Sequence, residues 1–197
     1  DTIADMALIA EQSAIIKTPD DFKGIMFRGV DKNYNWNYIG STLVDGRLPD
    51  ATKAEEVVIS NSVAKQLSIG VGDKLYTYFC NQAIKVRRVV VTGIFNTDFH
   101  DFDTNYLLGS LTLLQGVNGW NSNTGNYVGI NVKNTAQIPS LSYTLFSKLA
   151  ASTYNTSNRT VYNVVNTTQT NASFFSWLSL LDMNVVVILC LMAVVSG

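Results

Sequence analysis

The stretch EEVVISNSVAKQLSIGVGDKLYTYF, residues 55–79, decides how this chain is read. EEVVIS has the β-branched content of a short strand. Ser60 or Asn61 then offers a side-chain oxygen to the open amides of a first helical turn. SVAKQLS is the helix that follows, and Gly70 is expected to end it in a left-handed conformation. GVGD joins this capped helix directly to KLYTYF, a second strand, so it reads as a turn and not as a glycine-rich ligand loop. The unit is strand, helix, turn, strand.

Working outward, KLYTYF and IKVRRVVVTGIF flank residues 80–83 and predict a β-hairpin with a short connection. Gly93 within its second strand suggests a bulge or a close backbone approach. Upstream, TIADMALIAEQ sets Ile3, Met6, Ala7 and Ala10 on one helical face and predicts a short amphipathic helix. SAIIKT then reads as a strand, Pro19-Asp20-Asp21 as a turn, and FKGIMFRGV as another strand. Downstream, YLLGSLTLLQGV carries Leu107, Leu108, Leu111, Leu114 and Gln115 at helical spacing and predicts a helix ending near Gly116 or Gly119. NYVGINVK alternates as a strand. IPSLSYTLFSKLAAS has Pro139 at a helix start, with Leu141, Leu145, Phe146 and Leu149 on one face. RTVYNVVNT predicts a further strand.

Composition narrows the function classes. Of 197 residues 47% are hydrophobic, enough for one large domain or two small subdomains with real cores. Fourteen Lys and Arg against 15 Asp and Glu leave no basic stripe, so nucleic acid is set aside as a partner. Cys80 and Cys190 are far apart and are expected to be free. Sequons at Asn155, Asn158, Asn166 and Asn171 are matches that an Asn- and Thr-rich chain produces by chance.

The C-terminal stretch is different. Val185, Val186, Val187, Ile188 and Leu189 open an apolar run reaching Val195 that holds no charged side chain. Phe174, Phe175 and Trp177 precede it, then Asp182 and Met183. Aromatic side chains before an apolar run are the order expected where a helix passes through the water–lipid interface. A span needs roughly 20 apolar residues, whereas residues 183–197 would make a helix of only about 22 Å at 1.5 Å per residue. The expectation is therefore the start of a truncated transmembrane helix, with a buried core helix as the competing reading.

Chemistry-bearing residues are few. NTDFHDFD gathers Asp98, Asp101 and Asp103 around His100, the single histidine. Carboxylates and imidazole suit divalent cations, but neighbours this close on a strand or loop alternate faces and no second cluster adds ligands. A triad pairing His100 with Ser60 lacks the Gly-x-Ser-x-Gly elbow. Neither phosphate-cradling glycine motif is present, so any ATP must be bound by another polypeptide. Tyr34, Trp36, Tyr38 and Trp120 could line a binding surface or anchor loops to a core.

Several stretches, in order, resemble the extracytoplasmic domain of FtsX-like ABC transporter permeases of the MacB type, closest to the lipoprotein-releasing LolC/LolE-like branch. They are GIMFRGVDKNYNW, LVDGRLP, residues 55–79, RRVVVTGIFNTDFHDFD, LLGSLTLLQ and WLSLLDMNVVVILCLM. The resemblance implies an α+β fold with a discontinuous α/β, Porter-like subdomain from residues 1–31 and 125–172. It also implies an inserted, mainly β, Sabre-like subdomain from 32–124, and an interfacial segment with the start of a membrane helix over 173–197. It further implies a non-catalytic permease subunit in the bacterial inner membrane, with this part in the periplasm. Its implied partners are a cytoplasmic ATPase carrying ATP and Mg, a second permease subunit, identical or related, and a lipoprotein, peptide or small-molecule cargo. The short connection CNQA departs from the hooked insertion of LolC-like members and favours a LolE-like or general MacB-like role. The alternative class is a free-standing secreted or surface binding domain whose C-terminal helix is buried.

Overall fold

The computed structural model describes residues 2–80, 83–154, 162–167, 188 and 192. It resolves into two compact units, residues 3–131 and residues 132–197 with Thr2.

The first unit is built on strands β1 (Ile3–Lys17), β2 (Phe22–Val30), β3 (Leu43–Gly46), β4 (Glu56–Ser60), β5 (Lys74–Cys80), β6 (Ile84–Phe95), β7 (Tyr106–Ser110) and most of β8 (Tyr127–Val132). Helices α1 (Asn37–Ser41), α2 (Asn61–Leu67), α3 (His100–Asn105) and α4 (Leu111–Asn118) lie between them. The result is one mixed sheet, parallel at β2–β7 and β4–β6 and antiparallel at β1–β2, β1–β5, β4–β7 and β5–β6. These pairings close on themselves: β1–β2–β7–β4–β6–β5 returns to β1. Closure satisfies the backbone groups along both sides of each member over its paired length, which an open sheet cannot do for its edges.

Strand alternation sends one set of side chains into the ring. Ala10, Ala14 and Ile16 of β1, Ile25 and Phe27 of β2, Val57 and Ile59 of β4, Leu75 and Phe79 of β5, Val89 and Val91 of β6 and Leu107 of β7 form the main core. Val63 and Leu67 of α2 and Leu111, Leu114 and Val117 of α4 join the same cluster. Phe27 and Phe79 meet edge to face at 5.5 Å. Each such side chain, fully buried, contributes roughly 1.5–3 kcal/mol of transfer free energy.

The deciding stretch folds as read, with one shift. Ser60 caps α2 by accepting from the Val63 amide, and the helix stops at Ser68, which is left-handed at φ 53°, two residues before Gly70. The Asp73 carboxylate accepts from the Gly70 amide, closing the GVGD turn. The hairpin is also present, paired down to Cys80 opposite Ile84. Gly93 sits beside a register shift where β4 meets β6.

Two expected helices are corrected. Residues 3–11 are strand, part of the fifteen-residue β1. Ala7, Ile9 and Ala10 are all buried, so both faces of the strand are apolar there and the two-residue alternation that marks a strand is erased. The stretch from Tyr106 is strand as far as Ser110, whose hydroxyl accepts from the Thr112 amide and starts α4 only there. The expected strand at RTVYNVVNT is not found over the described residues 162–166, which carry no regular structure.

In the second unit a 3-10 turn (Thr135–Gln137), capped by Asn134, leads into α5 (Ile138–Tyr154), with Pro139 in its first turn. Leu141, Leu145 and Leu149 are half-buried, whereas Phe146 is exposed. Ile188 and Met192 are helical and exposed. Among the described residues no helix is long and apolar enough to cross a membrane.

β1 and β2 share the ring with β4–β7. β1 also pairs with β8.

Candidate functional site

The structure disperses the acidic cluster around His100. Asp98 takes a left-handed conformation at φ 60° and accepts from the Asn96 amide group. His100 opens α3 and is exposed, as is Asp101. Asp103 turns inward and accepts from the Thr97 backbone amide and hydroxyl, the latter at 2.7 Å. Each carboxylate thus shapes its own loop or solvent, and among the described residues no three His, Cys, Asp or Glu side chains gather as metal ligands.

Ser60 is likewise committed. Its hydroxyl is fully buried, accepts from the Val63 amide and donates to the Asp103 carbonyl. The proton a nucleophile would hand to a base is already in a hydrogen bond, so Ser60 and His100 form no catalytic pair. The aromatic residues divide. Tyr34 and Trp36 meet edge to face at 5.0 Å and pack on two small core clusters. Trp120 packs on the main core, and Tyr38 is exposed.

The strongest electrostatics lies in LVDGRLP and the strand after it, where no motif announces it. Glu56, 5% exposed, accepts from both terminal nitrogens of Arg47 at 2.6 and 2.7 Å. It also accepts from the Asp50 amide at 2.9 Å and pairs with Lys53 at 3.3 Å. The Arg47 hydrogen bonds, against the opposing effect of burial, pull the Glu56 carboxyl from the ordinary 4.5 to about 2. The backbone makes this possible through glycine. Gly46 is left-handed at φ 76°, and a Cβ on Gly93 would stand 2.5 Å from the Arg47 carbonyl. Only an arginine directly after a glycine and two positions before a proline could have hinted at the arrangement.

A second polar seam ties three strands. Arg28 on β2 stands opposite Glu11 on β1, and its Nε donates to Glu11 Oε1 at 2.7 Å. The Tyr127 hydroxyl of β8 donates to the same oxygen at 2.8 Å. Burial raises the Tyr127 hydroxyl above the usual phenol value, so it stays a donor throughout the physiological range. Arg28 also lies over the Tyr106 ring at 4.4 Å, and Tyr106 stacks on Phe102. Nearer the start of β1, Asp5 accepts from Asn35 and Asn131 at 2.9 and 2.7 Å. These groups bind and brace; none is placed for acid–base or nucleophilic work.

Close by, a cleft of about 450 Å³ opens among Asp31, Lys32, Trp36, Asp50, Thr112 and Asn123, with Leu8 and Val30 also lining it. Gln115 at its side donates to the carbonyls of Ser122 and Thr124, so it organises a loop.

Cys80 is free and exposed, whereas Cys190 lies outside the described residues. Of the expected membrane-entry residues, Trp177, Asp182, Met183, Val185, Val186, Val187 and Leu189 lie outside the described residues, and Ile188 is helical and 55% exposed.

Compared by sequence, the chain matches no protein-family model and no curated protein. Compared by structure, it is similar to the extracellular domain of the noncanonic ABC-type transporter YknZ from Gram-positive bacteria. That likeness has a TM-score of 0.59 at 16% identity and covers 84% of this chain and 83% of the other. It is also similar to the periplasmic region of MacB from Actinobacillus actinomycetemcomitans, with a TM-score of 0.50 at 16% identity over 80% of this chain and 79% of the other. At these identities the shared property is the fold.

Proposed function

We propose that this chain is the extracytoplasmic domain of an ABC transporter permease, a non-catalytic part that handles cargo outside the membrane and relays motion to it. The observation carrying the reading is the fold held in common with the YknZ extracellular domain over 84% of the chain. The ordered motifs of the sequence support the same conclusion independently.

On this reading ATP and Mg belong to a separate cytoplasmic ATPase. The domain sits in the periplasm, anchored in a bacterial inner membrane beside a second permease subunit, identical or related. Trp177 and Asp182 approach the lipid, and the segment from Met183 through Val185, Val186, Val187, Ile188 and Leu189 enters it. The cargo is a lipoprotein, peptide or small molecule. The three-residue connection between Cys80 and Ile84 favours a general MacB-like or LolE-like role over capture of a carrier by a hook.

Division into a Porter-like part (1–31 and 125–172) and a Sabre-like part (32–124) is the proposed mechanical scheme. β1 pairs with β8 and, through Ala14–Lys17, with β5. A displacement of β8 would therefore reach the ring along one continuous strand, braced by Glu11, Arg28 and Tyr127.

The test uses the exposed Cys80 thiol. In cells expressing the full-length protein, a membrane-impermeant maleimide added from outside the inner membrane is expected to label Cys80, and a Cys80→Ser variant should lose the label. Labelling only after the inner membrane is broken places the domain in the cytoplasm and overturns the proposal.

A further inference from the structure

The outer face of the ring carries an ordered patch that the transporter reading does not use. Two rows cross it in register. In the first, Phe22 of β2 stands opposite Lys17 of β1, Lys17 opposite Tyr76 of β5, and Tyr76 opposite Arg88 of β6. In the second, Gly24, Ile15, Tyr78 and Val86 follow one another across the same strands. Phe22 is 69% exposed and Tyr76 53%, and Ile84, farther along β6, is 71%. One row alternates aromatic rings with cations; the other is apolar.

Charge is segregated here in a chain that is nearly neutral overall. On its outward strand positions this face carries Lys17, Lys74 and Arg88, while Glu11, farther along β1, is taken by Arg28, and Asp20 and Asp21 lie at the margin in the β1–β2 turn. A second copy brings the same cations, Lys17, Lys74 and Arg88, to this face and offers acids only from the Asp20–Asp21 turn at its margin, so a second copy is disfavoured. A lipid surface prefers an amphipathic helix that can sink into it. Exposed Tyr and Arg set around aliphatic side chains are instead the composition of a protein interface.

We infer that this face docks an acidic segment of a protein partner, laid across the strands with apolar side chains over Ile15, Tyr78 and Val86 and carboxylates over Lys17 and Arg88. Lys17 and Arg88 are two strands apart, about 10 Å at the usual strand spacing. A segment in the polyproline II conformation supplies carboxylates at about that separation from residues three apart on one face, since it repeats every three residues and rises about 3.1 Å with each. The inference stands independently of the transporter reading, because it rests on the register and charge of this face alone.

The test measures binding of a synthetic peptide built on Glu-Leu-Leu-Glu to the whole chain by titration at low and moderate salt. Binding that weakens with salt is expected. The paired substitution Lys17→Glu with Arg88→Glu should weaken it at least about tenfold, with an unchanged thermal midpoint, and should create binding to the Lys-Leu-Leu-Lys counterpart. Lys65→Glu, on α2 away from the patch, should leave binding as it was. Binding indifferent to the paired substitution overturns the inference. So does binding to phosphatidylglycerol vesicles without binding to the peptide, and so does self-association through this face.

Discussion

Two carboxylate-bearing segments adjoin β6, and they invert what their sequences advertise. Residues 96–105 gather three aspartates and the single histidine, yet the structure scatters them among a turn, a helix start and solvent. Residues 45–56 spread Asp45, Arg47, Asp50, Lys53 and Glu56 over twelve positions, yet bring Arg47, Asp50 and Lys53 around the one buried carboxylate of Glu56. Proximity along the chain does little to make side chains converge. Convergence comes from a loop forced to lie against a strand, and here Gly46 and Gly93 permit that approach.

The comparison can be broken most severely at Glu56. Replacing it with Ala strips the loop of its shared acceptor and is expected to cost about 2–3 kcal/mol, the upper range for hydrogen bonds to a charged group, read by urea unfolding. Next is Gly93→Ala, whose Cβ meets the Arg47 carbonyl. Its cost is about 2 kcal/mol of overpacking, accompanied by loss of slow amide exchange at Arg47, which donates to the Thr92 carbonyl at 2.8 Å. Asp103→Ala should cost about 1–2 kcal/mol, because it frees only Thr97. Last, His100→Ala should change stability by no more than about 0.5 kcal/mol, as for an exposed site. If His100→Ala cost more than Glu56→Ala, the contrast between the segments would be wrong.

Acid sharpens the same contrast. The folded Glu56 carboxyl titrates at about 2 against an ordinary 4.5. Its contribution is therefore complete above the ordinary value and is lost as pH falls through that window. Unfolding free energy measured across it should drop in the native chain, and the Glu56→Gln variant should show a shallower drop.

Local chemistry made residues 55–79 legible: a β-branched strand, a capping serine, a short amphipathic helix and the alternating KLYTYF each follow from neighbours in sequence. Where distant partners decide, that reading fails. Ile3, Met6, Ala7 and Ala10 fit a helix until β2 and β8 pair with the strand, which buries Ala7, Ile9 and Ala10 and hides its period. Ser110, an N-cap inside an apolar run, was the available sign that strand gives way to helix at that point. The bracing seam was illegible for the same reason, since Glu11 and Tyr127 are 116 residues apart.

The closed ring also has a kinetic consequence. Its hairpins β1–β2 and β5–β6 can form from neighbouring residues, but β2 must find β7 across 80 residues, from Met26 to Tyr106, and β1 must find β5 across 65, from Ala14 to Phe79. Loop-closure entropy has to be met before those seams return any contact energy. Folding is therefore expected to be slow for a chain of this size, limited by seating the β1–β2 hairpin between β5 and β7. Unfolding should begin by parting the same two seams.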